Sequence, residues 1–206
     1  MLSLVLKQKV SKEVYSPAED SWLLEKCILK ENLEGKKCLD LGTGSGIQSI
    51  AMLKAGAEEV LAVDINSFAL KEAEKNIKDF IKENKKSKTQ FPGHLLGLQK
   101  SDLFSTIKTK FDFIAFNPPY VSSDEVKWVD LDGGKNGRIV IDKFLSQVKN
   151  HLNKNGIVLL LVSSLNKPNE IKKKFKELGF SVKVVGRKRF FFEELLVLRL
   201  KSSSKI

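Results

Sequence analysis

Short apolar runs alternate with helix-forming stretches along most of this chain, and that alternation constrains the fold more than any other feature. The runs at about 37–41, 60–63, 95–99, 111–116 and 157–162 read as buried strands. Helices are predicted over about 17–30, 47–54, 68–84, 139–152 and 169–178, the last closing at Gly179. Strands separated by helices pair in parallel, because a crossover must carry the chain back to the same end of the sheet. Two further strands, at about 181–185 and 194–200, follow each other without a helix and are predicted to pair antiparallel. The expected fold class is therefore α/β, with a seven-stranded, mainly parallel sheet, helices on both faces, and the last two strands antiparallel.

A length of 206 residues suits one buried domain spanning 1–206, and 42% apolar with 30% charged residues is an ordinary globular balance. Ser16-Pro17-Ala18-Glu19 has the order of a capping box with Pro at the first helical position. The Lys-rich stretch near 82–88 and the tail over 201–206 are expected to be disordered. Cys27 and Cys38 form no metal or disulfide spacing and read as buried free thiols. Residues 1–10 lack the charged start and apolar core of a secretion signal, and no apolar run reaches the ~20 residues needed to cross a bilayer. A cytoplasmic protein with no membrane association is expected.

The turn after the first strand reads Asp40-Leu41-Gly42-Thr43-Gly44-Ser45-Gly46. Glycines there admit a ligand against the backbone, and the helix that follows points its N–H groups the same way. A dinucleotide turn would carry a third Gly at 47, where this chain has Ile47, so the spacing favours a ligand without a pyrophosphate. Asp64 closes the second strand, where a carboxylate can accept from two ribose hydroxyls. Ser101-Asp102-Leu103 closes the third, with Asp102 placed for an adenine amino group and Leu103 for the ring face. Strand ends of a parallel sheet share one crevice, so these pieces converge on a single nucleoside-bearing ligand.

The fourth strand runs into Asn117-Pro118-Pro119-Tyr120. Two prolines make the exit rigid and cannot continue a central strand. The Asn117 side-chain oxygen and the Pro118 carbonyl are two acceptors that can hold both N–H bonds of a planar NH2 group, leaving its lone pair facing an incoming methyl group. Tyr120 can stack on a flat acceptor. An alkylated nitrogen of this kind is strongly acidic and needs no powerful base, which agrees with the lack of a histidine near the motif; His94 and His151 are not expected to be catalytic.

Taken in order, Tyr15-Ser16-Pro17-Ala18-Glu19-Asp20-Ser21, the glycine turn, Asp64, Ser101-Asp102-Leu103 and Asn117-Pro118-Pro119-Tyr120 resemble the HemK-type protein-glutamine N5-methyltransferases, a class I S-adenosylmethionine-dependent family. The closer likeness is to their short archaeal and eukaryotic branch, since only about sixteen residues precede the first helix. The resemblance implies a Rossmann-like methyltransferase sheet and methylation of the glutamine amide in the GGQ motif of a class 1 translation release factor. It implies that Ser21, Asp40, Gly42, Gly44, Asp64, Asp102 and Leu103 line the site of S-adenosyl-L-methionine, under a helix in the segment 16–31. Asn117, Pro118, Pro119 and Tyr120 would be catalytic, Asn117 and Tyr120 holding the substrate, with no metal. Leu131-Asp132-Gly133-Gly134-Lys135-Asn136-Gly137 resembles the family's loop near the substrate pocket. Residues 189–195 resemble a phenylalanine-acidic stretch of archaeal relatives, and Phe190-Phe191-Phe192 are expected in the core. A small zinc-binding activator of the Trm112 type is implied as partner, seated on an apolar patch at the donor-side edge of the sheet.

The same Asn-Pro-Pro-Tyr motif also serves methyltransferases of adenine or guanine amino groups in rRNA, tRNA or DNA. The formal net charge is +11, and residues 165–206 hold twelve Lys and Arg against four Asp and Glu. Such a region can contact phosphates, so nucleic-acid binding and a base acceptor stay open as the alternative. A non-enzymatic donor-binding or interaction protein is a third reading.

Overall fold

A computed structural model of the chain describes residues 14–86, 94–121 and 137–202. In chain order the elements are α1 (Glu19–Ile28), β1 (Lys37–Leu41), α2 (Ile47–Lys54), β2 (Glu59–Asp64), α3 (Ser67–Lys86), β3 (His94–Lys100), β4 (Phe111–Phe116), α4 (Ile139–Gln147), β5 (Leu152–Ser163), α5 (Pro168–Glu177), β6 (Phe180–Arg189) and β7 (Glu194–Ser202). One seven-stranded sheet results, ordered β3-β2-β1-β4-β5-β7-β6. The pairs β1–β2, β1–β4, β2–β3 and β4–β5 are parallel, and β7 runs antiparallel to both β5 and β6. The chain builds outward from β1 in one direction and from β4 in the other, so a crevice opens where β1 and β4 end side by side.

Strand alternation sorts the core into two layers. Phe113 and Ala115 of β4, with Leu159 and Leu161 of β5, face α1, α2 and α3. Ile114 and Phe116, with Val158, Leu160 and Val162, face α4 and α5. The fully buried rings of Phe111, Phe113, Phe116, Phe144 and Phe175 are the largest contributors, at about 2–3 kcal/mol each for the area withdrawn from water. Cys27 and Cys38 are free and buried as expected, and burial pushes both thiols up. Gly186 lies against α1, where an added Cβ would come within 2.6 Å of Cys27 Sγ.

Four expectations need correction. First, α1 begins at Glu19, with Ala18 at its N-cap and no side chain capping it. Pro17 lines the crevice instead, and the Ser21 amide is satisfied by Asp20 Oδ1 at 2.6 Å. Second, the predicted helix over 139–152 breaks after Gln147 into a short 3-10 turn, and Leu152 already opens β5. Third, Lys201 and Ser202 are not tail but pair with Ser181 and Phe180, and Lys82 to Lys86 belong to α3; 87–88 and 203–206 lie outside the described residues. Fourth, Phe190, Phe191 and Phe192 form the tip of the β6–β7 hairpin, closed by Phe190 N donating to Glu193 O at 2.7 Å. A tip cannot reach the core, and Phe191 and Phe192 are 91% and 85% exposed. Among the described residues no helix is long and apolar enough to cross a membrane.

Candidate active site

The crevice is lined by both halves of the predicted site: Ser21, Gly42, Gly44, Asp64, Asp102 and Leu103 on one side, and Asn117, Pro118, Pro119 and Tyr120 on the other. Tyr15, Asp20 and Gln48 complete its wall.

The turn after β1 takes its shape from backbone that only glycine adopts cheaply. Gly42, Gly44 and Gly46 have φ of 67°, 52° and 83°. At Gly46 the approach is also close, since an added Cβ would sit 3.1–3.3 Å from Ala73 and Ile77 of α3. Gly44 has open space where its side chain would be, so its backbone faces the crevice bare.

Asp40, expected among the lining residues, is instead buried beneath the turn. Its place in the strand alternation turns it toward α2, with Cys38, rather than toward the crevice. Its Oδ2 accepts from Ser49 N at 2.9 Å, from Ser49 Oγ at 2.6 Å and from Thr43 Oγ1 at 2.6 Å. Ser49 is the third residue of α2, so Asp40 satisfies one of the orphan amides at that helix start from the preceding strand. Burial pushes its carboxyl up to about 6, although the Ser49 and Thr43 hydrogen bonds pull the other way.

Asp64 stands where the sequence placed it. Its Oδ2 accepts from Gly44 N at 2.9 Å and its Oδ1 from Asn66 N at 2.9 Å, which fixes the carboxylate against the turn. A carboxylate is an acceptor, and Asp64 lines the crevice from this position. In the third piece, Ser101 Oγ donates to Leu103 O at 2.7 Å and holds Leu103 at φ 49°, a left-handed conformation that costs a leucine about 1–2 kcal/mol. Asp102 is exposed and accepts from Lys143 Nζ at 2.6 Å.

On the acceptor side, one residue that the sequence reading left without a role organises the rest. Asp20 is 3% exposed. Its Oδ1 accepts from Tyr15 OH at 2.9 Å, Ser21 N at 2.6 Å and Ser21 Oγ at 3.2 Å. Its Oδ2 accepts from Asn117 Nδ2 at 3.1 Å and Tyr120 OH at 3.3 Å. A carboxylate only accepts, so it fixes which end of the Asn117 amide faces it. The other end, Oδ1, is buried and has no hydrogen-bond partner among the described residues. Both tyrosine hydroxyls are held well above their ordinary value, by burial first and then by the Asp20 charge.

Two further contacts make the acceptor wall rigid. Asn166 Nδ2 donates to Tyr120 O at 2.9 Å while its Oδ1 accepts from Ser163 N at 2.8 Å. Gly137, with φ 62°, passes so close that an added Cβ would fall 2.0 Å from Tyr120 O. Gly137 is the one residue of the predicted 131–137 loop that is described; 131–136 lie outside the described residues. On the opposite wall Gln48 Nε2 donates to Ser21 O at 2.9 Å, tying α2 to α1, and its buried Oε1 has no hydrogen-bond partner among the described residues. His151 stacks on Phe104 with ring centroids 4.4 Å apart, and neither it nor His94 lines the crevice.

The chain is similar to known proteins. The family model described as methyltransferase small domain matches residues 18–191. A Methanocaldococcus jannaschii chain provisionally named a protein N5-glutamine methyltransferase is 40% identical over 94% of each chain. The Homo sapiens methyltransferase HEMK2 is 29% identical, covering 93% of this chain and 91% of its own. Among solved structures, the E. cuniculi Mtq2–Trm112 complex, described as responsible for methylation of the termination factor eRF1, superposes with a TM-score of 0.72 at 28% identity, covering 93% of this chain and 99% of that one.

Proposed function

Because the chain belongs to the methyltransferase small domain family, we propose that it moves a methyl group from S-adenosylmethionine to the side-chain amide nitrogen of the GGQ glutamine in a translation release factor. One observation carries this reading: the buried Asn117 Oδ1 beside the glycine turn, without a hydrogen-bond partner among the described residues, with its amide held the right way round by Asp20. An unmet buried acceptor costs about 1–3 kcal/mol unless a ligand supplies the donor. The amide NH2 of glutamine is such a donor, and it is flat enough to lie against Tyr120.

The residues present fit the methyl donor. Gly44 leaves its backbone bare to the crevice, Asp64 is fixed to accept ribose hydroxyls, Leu103 is held as an apolar cover, and Gln48 Oε1 is an unmet acceptor suited to an ammonium group. Bound there, S-adenosylmethionine supplies an electrophilic sulfonium methyl. The chain itself positions and excludes. Asn117 Oδ1 and the Pro118 carbonyl each take one N–H of the acceptor, which turns the nitrogen lone pair toward the donor side. The two prolines and the Asn166 clamp hold that geometry without further ordering at reaction. The surplus proton leaves to water.

The relatives' names favour a protein acceptor. The basic region favours a nucleic acid less than its composition suggests, because many of its cations are matched. Lys174 pairs with Asp142, Arg187 and Arg189 with Glu194, Lys188 with Glu19, and Arg199 with Glu31. A small zinc-binding partner of the Trm112 type would sit on the free edge of β3, where Leu96 is 43% exposed. The cytoplasm, where translation terminates, is the proposed place of work.

The test is labelling of a GGQ-containing release factor with methyl-labelled donor. Asn117→Ala should abolish labelling while calorimetry finds donor binding nearly intact. Label that survives protease but not ribonuclease would overturn the reading.

A further inference from the structure

Several large apolar side chains near the acceptor wall are exposed among the described residues. Phe191 and Phe192, at 91% and 85% exposed, stack edge to face with centroids 4.5 Å apart at the tip of the β6–β7 hairpin. Leu165 is 64% exposed and lies between Ser164 and Asn166. Val121 and Ile139, also exposed, follow Tyr120 and Arg138.

These residues are joined to the acceptor wall by short connections. Asn166, next to Leu165, holds both the Tyr120 and Gly137 carbonyls. Glu194 N donates to Ser164 Oγ at 3.0 Å, fastening the hairpin to the same turn. Glu193, beside the phenylalanines, is close enough to Tyr120 to help raise its hydroxyl, and Lys188 pairs with Glu19 at the start of α1. The hairpin therefore rises from the end of the sheet that holds the reacting groups.

From these observations we infer that the Phe191–Phe192 tip and Leu165 form a docking surface for the folded protein substrate, engaging it outside the pocket that takes the glutamine. The inference rests on the protein-acceptor reading above and extends it to how the substrate is held. Its occupant is a polypeptide with an apolar surface beside the acceptor loop. Two features favour that over a nucleic acid. Of the cations flanking the tip, Arg187 and Arg189 share Glu194 and Lys188 pairs with Glu19, and Glu193 adds a third acid beside these three cations, so little uncompensated positive charge is left for phosphates. The exposed rings form one continuous apolar knob, and exposed apolar area of this kind marks protein contacts. An aromatic anchor outside the pocket would also lower the entropy cost of presenting the acceptor loop.

The experiment compares two substrates: an intact release factor and a short peptide centred on its GGQ sequence, which can fill the pocket without reaching the hairpin. The enzyme is used alone or co-expressed with a Trm112-type partner, in whichever form is active. The double variant Phe191→Ser/Phe192→Ser should lose about tenfold in kcat/KM on the intact factor, carried by KM, as expected for removing an anchoring contact. On the peptide it should stay within about twofold of wild type, the scatter of a contact not made. Leu165→Ser should shift the same way by less. Wild-type kinetics of the double variant on the intact factor would overturn the docking surface alone, as would equal losses on both substrates or a change confined to RNA retention. Failure of the wild-type enzyme to label any release factor would instead remove the acceptor reading, and this proposal with it.

Discussion

Exchanging Asp20 for Asn changes one atom, yet the structure assigns it a large effect on catalysis. Asp20 meets three donors through Oδ1, including the Ser21 backbone amide, and two through Oδ2, Asn117 Nδ2 and Tyr120 OH. An amide at position 20 has a single oxygen, and three donors outweigh two, so its oxygen should keep the Ser21 side. Its NH2 then faces Asn117 Nδ2, and two donors cannot share that contact. The Asn117 amide turns over, offering its oxygen to residue 20 and its NH2 to the substrate. The acceptor that should hold a glutamine N–H becomes a competing donor. Hydrogen bonds to a charged group are worth about 1.5–3 kcal/mol each. With the charge-assisted bond at Asn117 replaced by a neutral one and one acceptor lost to the substrate, about 2–4 kcal/mol should be missing from the transition state. That corresponds to about 30- to 1,000-fold in kcat. Donor affinity should change little. The assay is single-turnover methylation at saturating donor, beside calorimetry for donor binding and a thermal melt to show the variant folded. A folded Asp20→Asn enzyme with kcat within about twofold of wild type would refute the positioning role, since that is below the cost of a single hydrogen bond.

Other expectations follow from the same geometry. Asp64→Ala removes the acceptor for Gly44 N as well as the proposed ribose contacts, and should weaken donor binding by about 1–3 kcal/mol; unchanged affinity by calorimetry would take Asp64 out of the site. Asp40 carries a pH signature. Its folded-state carboxyl lies at about 6, above the ordinary value near 4, so the folded chain holds that proton more tightly than the unfolded chain. Ionisation is then disfavoured by folding, and this group's contribution to stability falls as pH rises from about 4 to about 6, by up to about 3 kcal/mol. Denaturant melts of wild type and Asp40→Asn across that window should show the difference between them changing in that direction, and a flat difference would contradict the assignment.

What was legible in the sequence is what depends on neighbours along the chain. The glycine spacing predicts Gly42, Gly44 and Gly46, because a positive φ leaves few other residues available. Strand ends carrying Asp64, Leu103 and Asn117 were readable because parallel strands deliver their C-terminal ends to one crevice. Asp20 was not, since its partners Asn117 and Tyr120 are 97 and 100 residues away and its own neighbourhood mimics a helix cap. Asp40 was assigned to the donor site by the family resemblance, whereas the alternation that turns Leu41 toward the crevice turns Asp40 beneath α2. The three phenylalanines were misread because composition alone favours the core, and their turn contains no Gly, Pro or Asn to announce it.

The central claim is that a planar amide nitrogen, held by Asn117, receives the methyl group. It is tested most directly by fragmentation mass spectrometry of a release factor incubated with the enzyme and S-adenosylmethionine. The account predicts a single added methyl on the GGQ glutamine side chain, absent with Asn117→Ala. A methyl on a nucleotide base, or on any protein residue that lacks a planar NH2, would contradict it.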